Sequence, residues 1–192
     1  NELRITNSTF LRNTANDLFE GGGAIYYRPW GISTVPLTIQ GSTFSENKAT
    51  GVNIASGGAI RLQTEGEIND SVLTVNISNS TFSGNAARKG GAIGLVAGVI
   101  KLAGNPNTIN LNLSNSTFTG NQDLGGNPDD LYAFQQTTGN ETNVQFDNTI
   151  ITGGCEYDGD QAVPFVSQGY NISKDATCNF TQPTDHQNTD PL

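Results

Sequence analysis

The sequence predicts an all-β fold, a parallel β-helix of about five coils, from three observations. A phrase of the type Asn-Ser-Thr-Phe-x-x-Asn returns along the 192 residues at a nearly constant interval. A segment of alternating apolar residues precedes each copy, and a Gly-Gly-Ala-Ile element follows three of them. Repeats of roughly 20 to 50 residues are typical of stacked architectures, because a single unit cannot bury its own apolar face.

The apolar residue of the phrase predicts a column of side chains in the core. It recurs at intervals of 34, 38, 36 and 33 residues, and Ile replaces Phe in the last, worn copy. Parallel strands of adjacent coils lie about 4.8 Å apart, so equivalent residues should stack directly over one another. The predicted column consists of Phe10, Phe44, Phe82, Phe118 and Ile151.

Two Asn positions, one at each end of the phrase, predict ladders of side-chain amides at the bends. An amide can donate to the carbonyl oxygen of the next amide, and a buried Asn is tolerated only when its polar atoms are satisfied. A row of ligand-binding groups is the disfavoured alternative. The predicted ladder residues are Asn7, Asn79, Asn115 and Asn148 at the first position, and Asn13, Asn47, Asn85 and Asn121 at the second.

The ladder interpretation also bears on glycosylation. Nine Asn-x-Ser/Thr sequons occur, and three of them begin at the ladder residues Asn7, Asn79 and Asn115. A buried ladder residue cannot carry a glycan, so we attribute these three to the repeat. Asn69 and Asn140 are predicted to lie in loops, where a glycan could be attached.

Each coil is predicted to contain three strands. Alternation such as Leu73-x-Val75-x-Ile77 indicates a half-buried strand before the phrase. A short strand then carries the Phe, and a third follows the Gly-Gly bend, as at Gly90-Gly91-Ala92-Ile93. The fourth coil departs from this pattern, with Asp129-Asp130-Leu131-Tyr132 where Gly-Gly-Ala-Ile would stand.

These elements resemble the repeat of polymorphic outer-membrane proteins, in which Phe-x-x-Asn and Gly-Gly-Ala-Ile mark a right-handed parallel β-helix. The C-terminal stretch is similar to the closing segment of bacterial choice-of-anchor surface proteins. The resemblance implies a secreted or cell-surface protein, usually without assigned catalysis. The marks of the closing segment are Gly154-Cys155, Ser167-Gln168-Gly169-Tyr170-Asn171-Ile172, Cys178-Asn179-Phe180 and Asp190-Pro191-Leu192.

We therefore expect β-helix coils over residues 1–154 and a closing segment over residues 155–192. Cys155 and Cys178 are predicted to form a disulfide in that segment. An extracellular compartment favours the pairing, and the mostly polar loop between the two residues needs a cross-link.

The first rung is predicted to be uncapped. Leu3-x-Ile5 already belongs to a core-facing strand, and no polar cap precedes it. Unpaired strand edges are templates for further pairing. We expect either more coils of a longer precursor before this rung or self-association through open β-helix ends, which could propagate into a filament.

Composition excludes several classes of partner. The net charge of −9 argues against nucleic acid and against an anionic membrane surface. No apolar run is long enough for a membrane-spanning helix, so membrane insertion is not expected.

No catalytic residues are predicted. Asp158 and Asp160 flank one glycine and are weak candidates for a Ca²⁺ site, with a polar surface turn as the favoured interpretation; otherwise no cofactor is expected. Asp129 and Asp130 make a poor acid–base pair, because adjacent residues of a strand point to opposite faces. The single histidine, His186, has no partner at metal-ligand spacing.

The predicted function is that of a non-enzymatic extracellular structural or adhesive module. Its expected partners are other copies of the chain and a cell-surface or matrix polysaccharide. The alternative is a β-helix that binds or cleaves polysaccharide through its acidic loops. Convergence of carboxylates and basic residues on one groove would favour the enzyme, and a polar surface without such convergence favours the structural or adhesive module.

Overall fold

A computed structural model shows that the chain is a parallel β-helix. The structure describes residues 2–17, 21–29, 36–51, 55–64, 71–98, 107–135, 139–159 and 165–191. Every regular element in these ranges is a strand. Accordingly, no helix in the described part of the chain is long and apolar enough to cross a membrane.

The strands form four sheets that run along the stack, and the pairings within each sheet are parallel. The first sheet contains six strands: β1 (Leu3–Thr6), β5 (Leu37–Gln40), β9 (Val72–Ser78), β13 (Thr108–Ser114), β17 (Glu141–Asp147) and β20 (Phe165–Gly169). The second sheet also contains six: β2 (Thr9–Leu11), β6 (Thr43–Ser45), β10 (Thr81–Ser83), β14 (Thr117–Thr119), β18 (Ile150–Ile151) and β21 (Ile172–Ser173).

The other two sheets are shorter. The third sheet contains four strands of two residues each: β3 (Thr14–Ala15), β7 (Lys48–Ala49), β11 (Ala86–Ala87) and β15 (Gln122–Asp123). The fourth sheet contains five strands: β4 (Ile25–Tyr27), β8 (Ile60–Gln63), β12 (Ile93–Ala97), β16 (Leu131–Gln135) and β19 (Cys155–Asp158).

The number of coils differs slightly from the prediction of about five. Four rungs are complete, with one strand in each sheet. Within the described residues, the fifth rung lacks a strand in the third sheet, and the sixth contributes only β20 and β21. The sequence predicts three strands per coil rather than four, because a two-residue strand is too short to produce an alternating pattern.

The predicted column of Phe side chains forms the centre of the core. Neighbouring rings lie 4.7, 4.8 and 4.7 Å apart and are parallel to within 3°. Ile151, in the fifth rung, pairs with Phe118 of the fourth rung and is fully buried. Phe10 is only half-buried, because it lies in the first rung. The column aligns the rungs, since each ring contacts the rings of the adjacent rungs.

The second Asn of each phrase forms the predicted amide ladder. The Nδ2 group of Asn13 donates to Oδ1 of Asn47 (2.8 Å), Asn47 donates to Asn85 (2.9 Å), and Asn85 donates to Asn121 (2.8 Å). Each Oδ1 atom that accepts one of these bonds also accepts a hydrogen bond from the backbone N–H of the preceding ladder residue. The second hydrogen of each amide from Asn47 onward donates to the Phe carbonyl of the previous rung, at 2.9 to 3.0 Å.

The C-terminal segment covers the core at the far end of the stack. Cys155 and Cys178 form a disulfide, as predicted. Phe180 is buried and packs edge-on against Phe146 at 5.1 Å between ring centroids. His186 forms a parallel bridge with Ile172, which adds a further backbone pairing beyond the last rung.

Replacing Asn85 with Ala should destabilise the fold strongly. The substitution removes the buried acceptor of the Asn47 Nδ2 and backbone N–H groups, and it removes one donor each from Asn121 Oδ1 and the Phe44 carbonyl. Each unsatisfied buried group costs roughly 1–3 kcal/mol. Chemical denaturation of the wild type and the variant would measure the loss of unfolding free energy.

Asn143→Ala is the matched control. Asn143 is exposed and makes one cross-rung amide hydrogen bond, to Asn110 at 3.1 Å, which water can replace. We expect a loss of less than about 1 kcal/mol for this variant. Equal losses for the two variants would contradict a stabilising role for the buried ladder.

Candidate functional site

The first Asn of the phrase lies on an exposed corner and not in the core. Asn7, Asn79, Asn115 and Asn148 are exposed, with φ angles between 47° and 50°. This corrects the prediction that they form a buried ladder. The left-handed conformation turns the chain between the first and second sheets, and Asn adopts it more readily than most residues.

We call this column of turn residues the corner row. Its members, one per rung, are Asn7, Gly41, Asn79, Asn115, Asn148 and Tyr170, and all have positive φ. Asn148 donates from Nδ2 to Oδ1 of Asn115 at 2.6 Å, in an exposed setting. Because these Asn residues are exposed, burial no longer excludes glycosylation at the sequons of Asn7, Asn79 and Asn115.

A serine ladder, which the sequence analysis missed, occupies the buried position next to the corner. Ser42, Ser80 and Ser116 are buried, and their hydroxyl oxygens accept the backbone N–H of the equivalent residue one rung earlier, at 3.2 to 3.3 Å. Each serine precedes the Phe of its phrase by two residues. Period-two alternation therefore places it on the same side as the Phe, and this signal could have identified the ladder.

Asn140 is a buried residue rather than the exposed loop residue that the sequence predicts. Its Oδ1 accepts the backbone N–H of Asn107 at 3.0 Å, and Oδ1 of Asn107 accepts the N–H of Ser71 at 3.2 Å. Asn140 is only 3% exposed, which makes it unsuitable as a glycan acceptor in the folded chain. Asn69 lies outside the described residues.

In the fourth rung, the element that replaces Gly-Gly-Ala-Ile begins at Pro128, one residue earlier than predicted, so the acidic pair takes positions one later in the element. Leu131 pairs with Ile93, so Pro128-Asp129-Asp130-Leu131 stands opposite Gly90–Ile93. Asp129 takes the position of Gly91, and Asp130 takes that of Ala92. Both carboxyl groups are buried, which distinguishes them from most of the other acidic residues of the chain.

Asp130 terminates the buried Asn ladder. Its Oδ1 accepts the Nδ2 group of Asn121 at 2.8 Å, and its Oδ2 accepts the backbone N–H of Gly153 at 2.6 Å. Every ladder amide donates toward this end, so the last acceptor can be a carboxylate. Burial raises the pKa of Asp130 to about 6, and the hydrogen bonds from Asn121 and Gly153 oppose that rise.

Asp129 faces a cavity. Its Oδ2 accepts the backbone N–H of Gly90 at 2.7 Å. Burial, together with the nearby charges of Glu156 and Asp130, raises the pKa of Asp129 to about 7. Near neutral pH this carboxyl group is therefore a mixture of the protonated and ionised forms.

The cavity has a volume of about 310 Å³ and lies where the fifth rung omits a third-sheet strand. A Cβ atom on Gly91 would approach Gln122 of the next rung to 2.4 Å. Since the fifth rung has no described equivalent of Gln122, position 129 has room for a side chain. The cavity is lined by Asp123, Asn127, Pro128, Asp129, Gly153, Gly154, Cys155, Glu156, Asp175 and Thr177.

In the described ranges, no three His, Cys, Asp or Glu side chains are grouped so that they could hold a metal ion. Asp158 is exposed at the end of β19, and Asp160 lies outside the described residues. Lys89 forms an ion pair with Glu156 and lies 5.8 Å from the centre of the Tyr132 ring.

Residues 79–94 match the family profile of the Chlamydia polymorphic membrane protein repeat. The matched stretch runs from the Asn-Ser-Thr-Phe phrase of the third rung to its Gly-Gly-Ala-Ile element. Together with the β-helix, the match confirms the repeat type that the sequence predicts. No curated protein and no solved structure matches the chain.

The raised pKa values of Asp129 and Asp130 predict that stability falls as pH rises. An unfolded aspartate has a pKa of about 3.9, so at intermediate pH the folded state binds more protons than the unfolded state. The stabilising contribution is complete below about pH 4 and is lost as pH rises toward the folded values of about 6 and 7. Unfolding free energy should fall between pH 4 and pH 8 by a few kcal/mol, to be measured by denaturant titration.

Asp129→Asn should remove part of this fall. The new amide oxygen can still accept the Gly90 N–H, and the amide nitrogen can face the cavity. Asp123→Asn is the control, since hydrogen bonds from Asn127 lower the pKa of Asp123 and the residue lies in the same cavity wall. An unchanged pH dependence in Asp129→Asn would contradict the assignment.

Proposed function

We propose that the chain is a non-enzymatic surface module, structural or adhesive, that is exposed outside the cell. The parallel β-helix and the repeat shared with Chlamydia polymorphic membrane proteins support this function. The Cys155–Cys178 disulfide fits the same location, because disulfides persist in oxidising compartments. The acidic surface, with a net charge of −9, disfavours nucleic acid and anionic lipid as partners.

The proposal rests mainly on one observation: the buried polar side chains of the ladders form hydrogen bonds between rungs. In the described ranges, the Asn and Ser ladders are saturated by contacts between rungs. Thr142 Oγ1 is the one fully buried side-chain polar atom there without a hydrogen-bond partner. Such an interior holds coils together, which is the role of a structural module.

Cleavage of a polysaccharide is the second candidate, because one observation favours it. Asp129 has a pKa of about 7 and lines the cavity together with Glu156. A protonated carboxyl group beside a second carboxylate is the arrangement that glycoside hydrolysis requires. Against it, Glu156 is engaged by Lys89, and Asp130 belongs to the ladder and does not line the cavity.

Incubation with polysaccharides decides between the two candidates. We expect no new reducing ends from a panel of acidic and neutral polysaccharides, with or without added Ca²⁺. Turnover that is lost in Asp129→Asn but retained in Asp123→Asn would overturn the proposal and establish the enzymatic alternative.

Self-association through the first rung is part of the proposal. Strands β1 to β4 lie at the edges of their sheets. Leu3 and Leu11 are 43% and 49% exposed, and Ile5 and Phe10 are only half-buried. The opposite end is covered by Phe180 and the disulfide, so pairing of two first rungs is favoured over a head-to-tail filament.

Light scattering on the isolated chain tests this association. We expect a concentration-dependent dimer for the wild type and a monomer for Leu11→Lys, which places a charge on the exposed end of β2. The unfolding midpoint of the variant monomer should stay within a few degrees of the wild type. A wild-type chain that remains monomeric at high micromolar concentration would show that the first rung needs no second copy.

A further inference from the structure

Tyr170 is the exception in the corner row. The other five members are Asn or Gly, which adopt the left-handed conformation most readily, whereas Tyr170 has φ of 59° with a bulky side chain. Its place in the row is set by backbone pairing. Asn148 N–H donates to Gly169 O at 3.1 Å, just as Asn115 N–H donates to Asp147 O at 3.0 Å one rung earlier.

Packing does not compensate for the strained backbone conformation of Tyr170. The residue is 67% exposed. Among the described residues its phenol makes no hydrogen bond and no ring contact; only its backbone N–H is held, by Thr184 Oγ1 at 3.0 Å. A residue kept in a disfavoured conformation without a stabilising contact is a candidate for a binding role. Asn in its place would relieve the strain and preserve the turn.

The surface beside the corner row is uncharged and rich in amides. The outward residues of β5, β9 and β13 contain no charged side chain. Amides on this face are linked between rungs, with Asn112 donating to Asn76 at 2.8 Å. These outward residues are Thr38, Gln40, Val72, Thr74, Asn76, Ser78, Thr108, Asn110, Asn112 and Ser114.

Charged side chains occur on the outer face of the fifth rung, next to these strands. In β17, Glu141 and Asp147 are exposed. Val166 of β20 is 49% exposed and pairs with Gln145. This pairing places an apolar side chain on the outer face of the first sheet, in the same rung as Tyr170. The face therefore combines neutral hydrogen-bonding groups, two carboxylates and exposed apolar surface.

We propose that Tyr170 and the corner row form a binding site for a neutral polysaccharide. A sugar ring stacks on the exposed phenol, and its hydroxyl groups pair with the amides of Asn148 and Asn115. Amide groups both donate and accept, as hydroxyl groups do. Asp147 accepts from hydroxyl groups and, with the net charge of −9, repels anionic polysaccharides. The inference rests on the adhesive form of the proposed function and names its ligand.

Affinity electrophoresis in native gels tests the site. The gels contain galactomannan, xyloglucan, mixed-linkage β-glucan or, as the anionic probe, polygalacturonate. We expect retardation of the wild-type chain by at least one neutral polysaccharide and none by polygalacturonate. Tyr170→Asn should weaken the retardation at least tenfold while its unfolding midpoint stays equal to the wild type or rises.

Leu124→Asn is the matched control, because Leu124 is also exposed, at 43%, and lies outside the face. It should leave retardation unchanged. The proposal is overturned by no retardation in the three neutral gels, by equal retardation of Tyr170→Asn, or by preference for polygalacturonate. A lower unfolding midpoint in Tyr170→Asn would assign the residue a structural role instead. Tyr170-dependent dimers without retardation would assign the face to a second copy.

Failure of this inference differs from failure of the proposed function. Absence of retardation together with absence of cleavage removes the polysaccharide site and leaves a structural surface module. New reducing ends would remove the non-enzymatic function, whatever the gels show.

Discussion

Register between rungs is the constraint on which the rest of this structure depends. Each rung has too little apolar surface to fold alone, so it is stable only when equivalent residues of adjacent rungs stack. The Phe column supplies the apolar contact, and the amide ladder from Asn13 to Asn121 supplies the directional one. A one-residue slip would break both at once, because it would move each Phe to the outer face of its strand. The two devices therefore specify a single stacking arrangement.

The polarity of the ladder explains the acidic residue at its end. Along the buried ladder, each amide from Asn13 onward donates to the next ladder residue on the C-terminal side, so the final group must accept. Asp130 does so, and its second oxygen receives the Gly153 N–H. An amide at position 130 would turn an NH₂ group toward that N–H donor, leaving two donors face to face. The raised pKa that burial imposes on Asp130 is thus linked to the way in which the ladder ends.

Sequence was sufficient for the parts of the fold that repeat and insufficient where the repeat ends. The Phe column and the ladder of Asn47 and Asn85 follow from spacing, because stacking transfers a linear period directly into space. The first Asn of the phrase was misplaced, since a turn residue in the left-handed region and a buried ladder residue recur with the same period. The cavity beside Asp129 was not predictable either, because it arises from a strand that the fifth rung omits within the described residues.

The polar side chains of the interior and those of the outer faces have different roles, and this difference indicates where a binding surface lies. Polar groups inside the stack are used to join rungs, and substituting them changes stability before it changes recognition. Water can replace the cross-rung hydrogen bonds of the outer faces, so a residue there that departs from the repeat is informative. Tyr170 departs in residue type, because it holds the left-handed conformation of the corner row with a bulky side chain, whereas Asp129 departs in burial and charge. The burial of Asp129 follows from the end of the ladder and of the third sheet. The bulky aromatic side chain at position 170 follows from neither, and this is why we place recognition at the corner row.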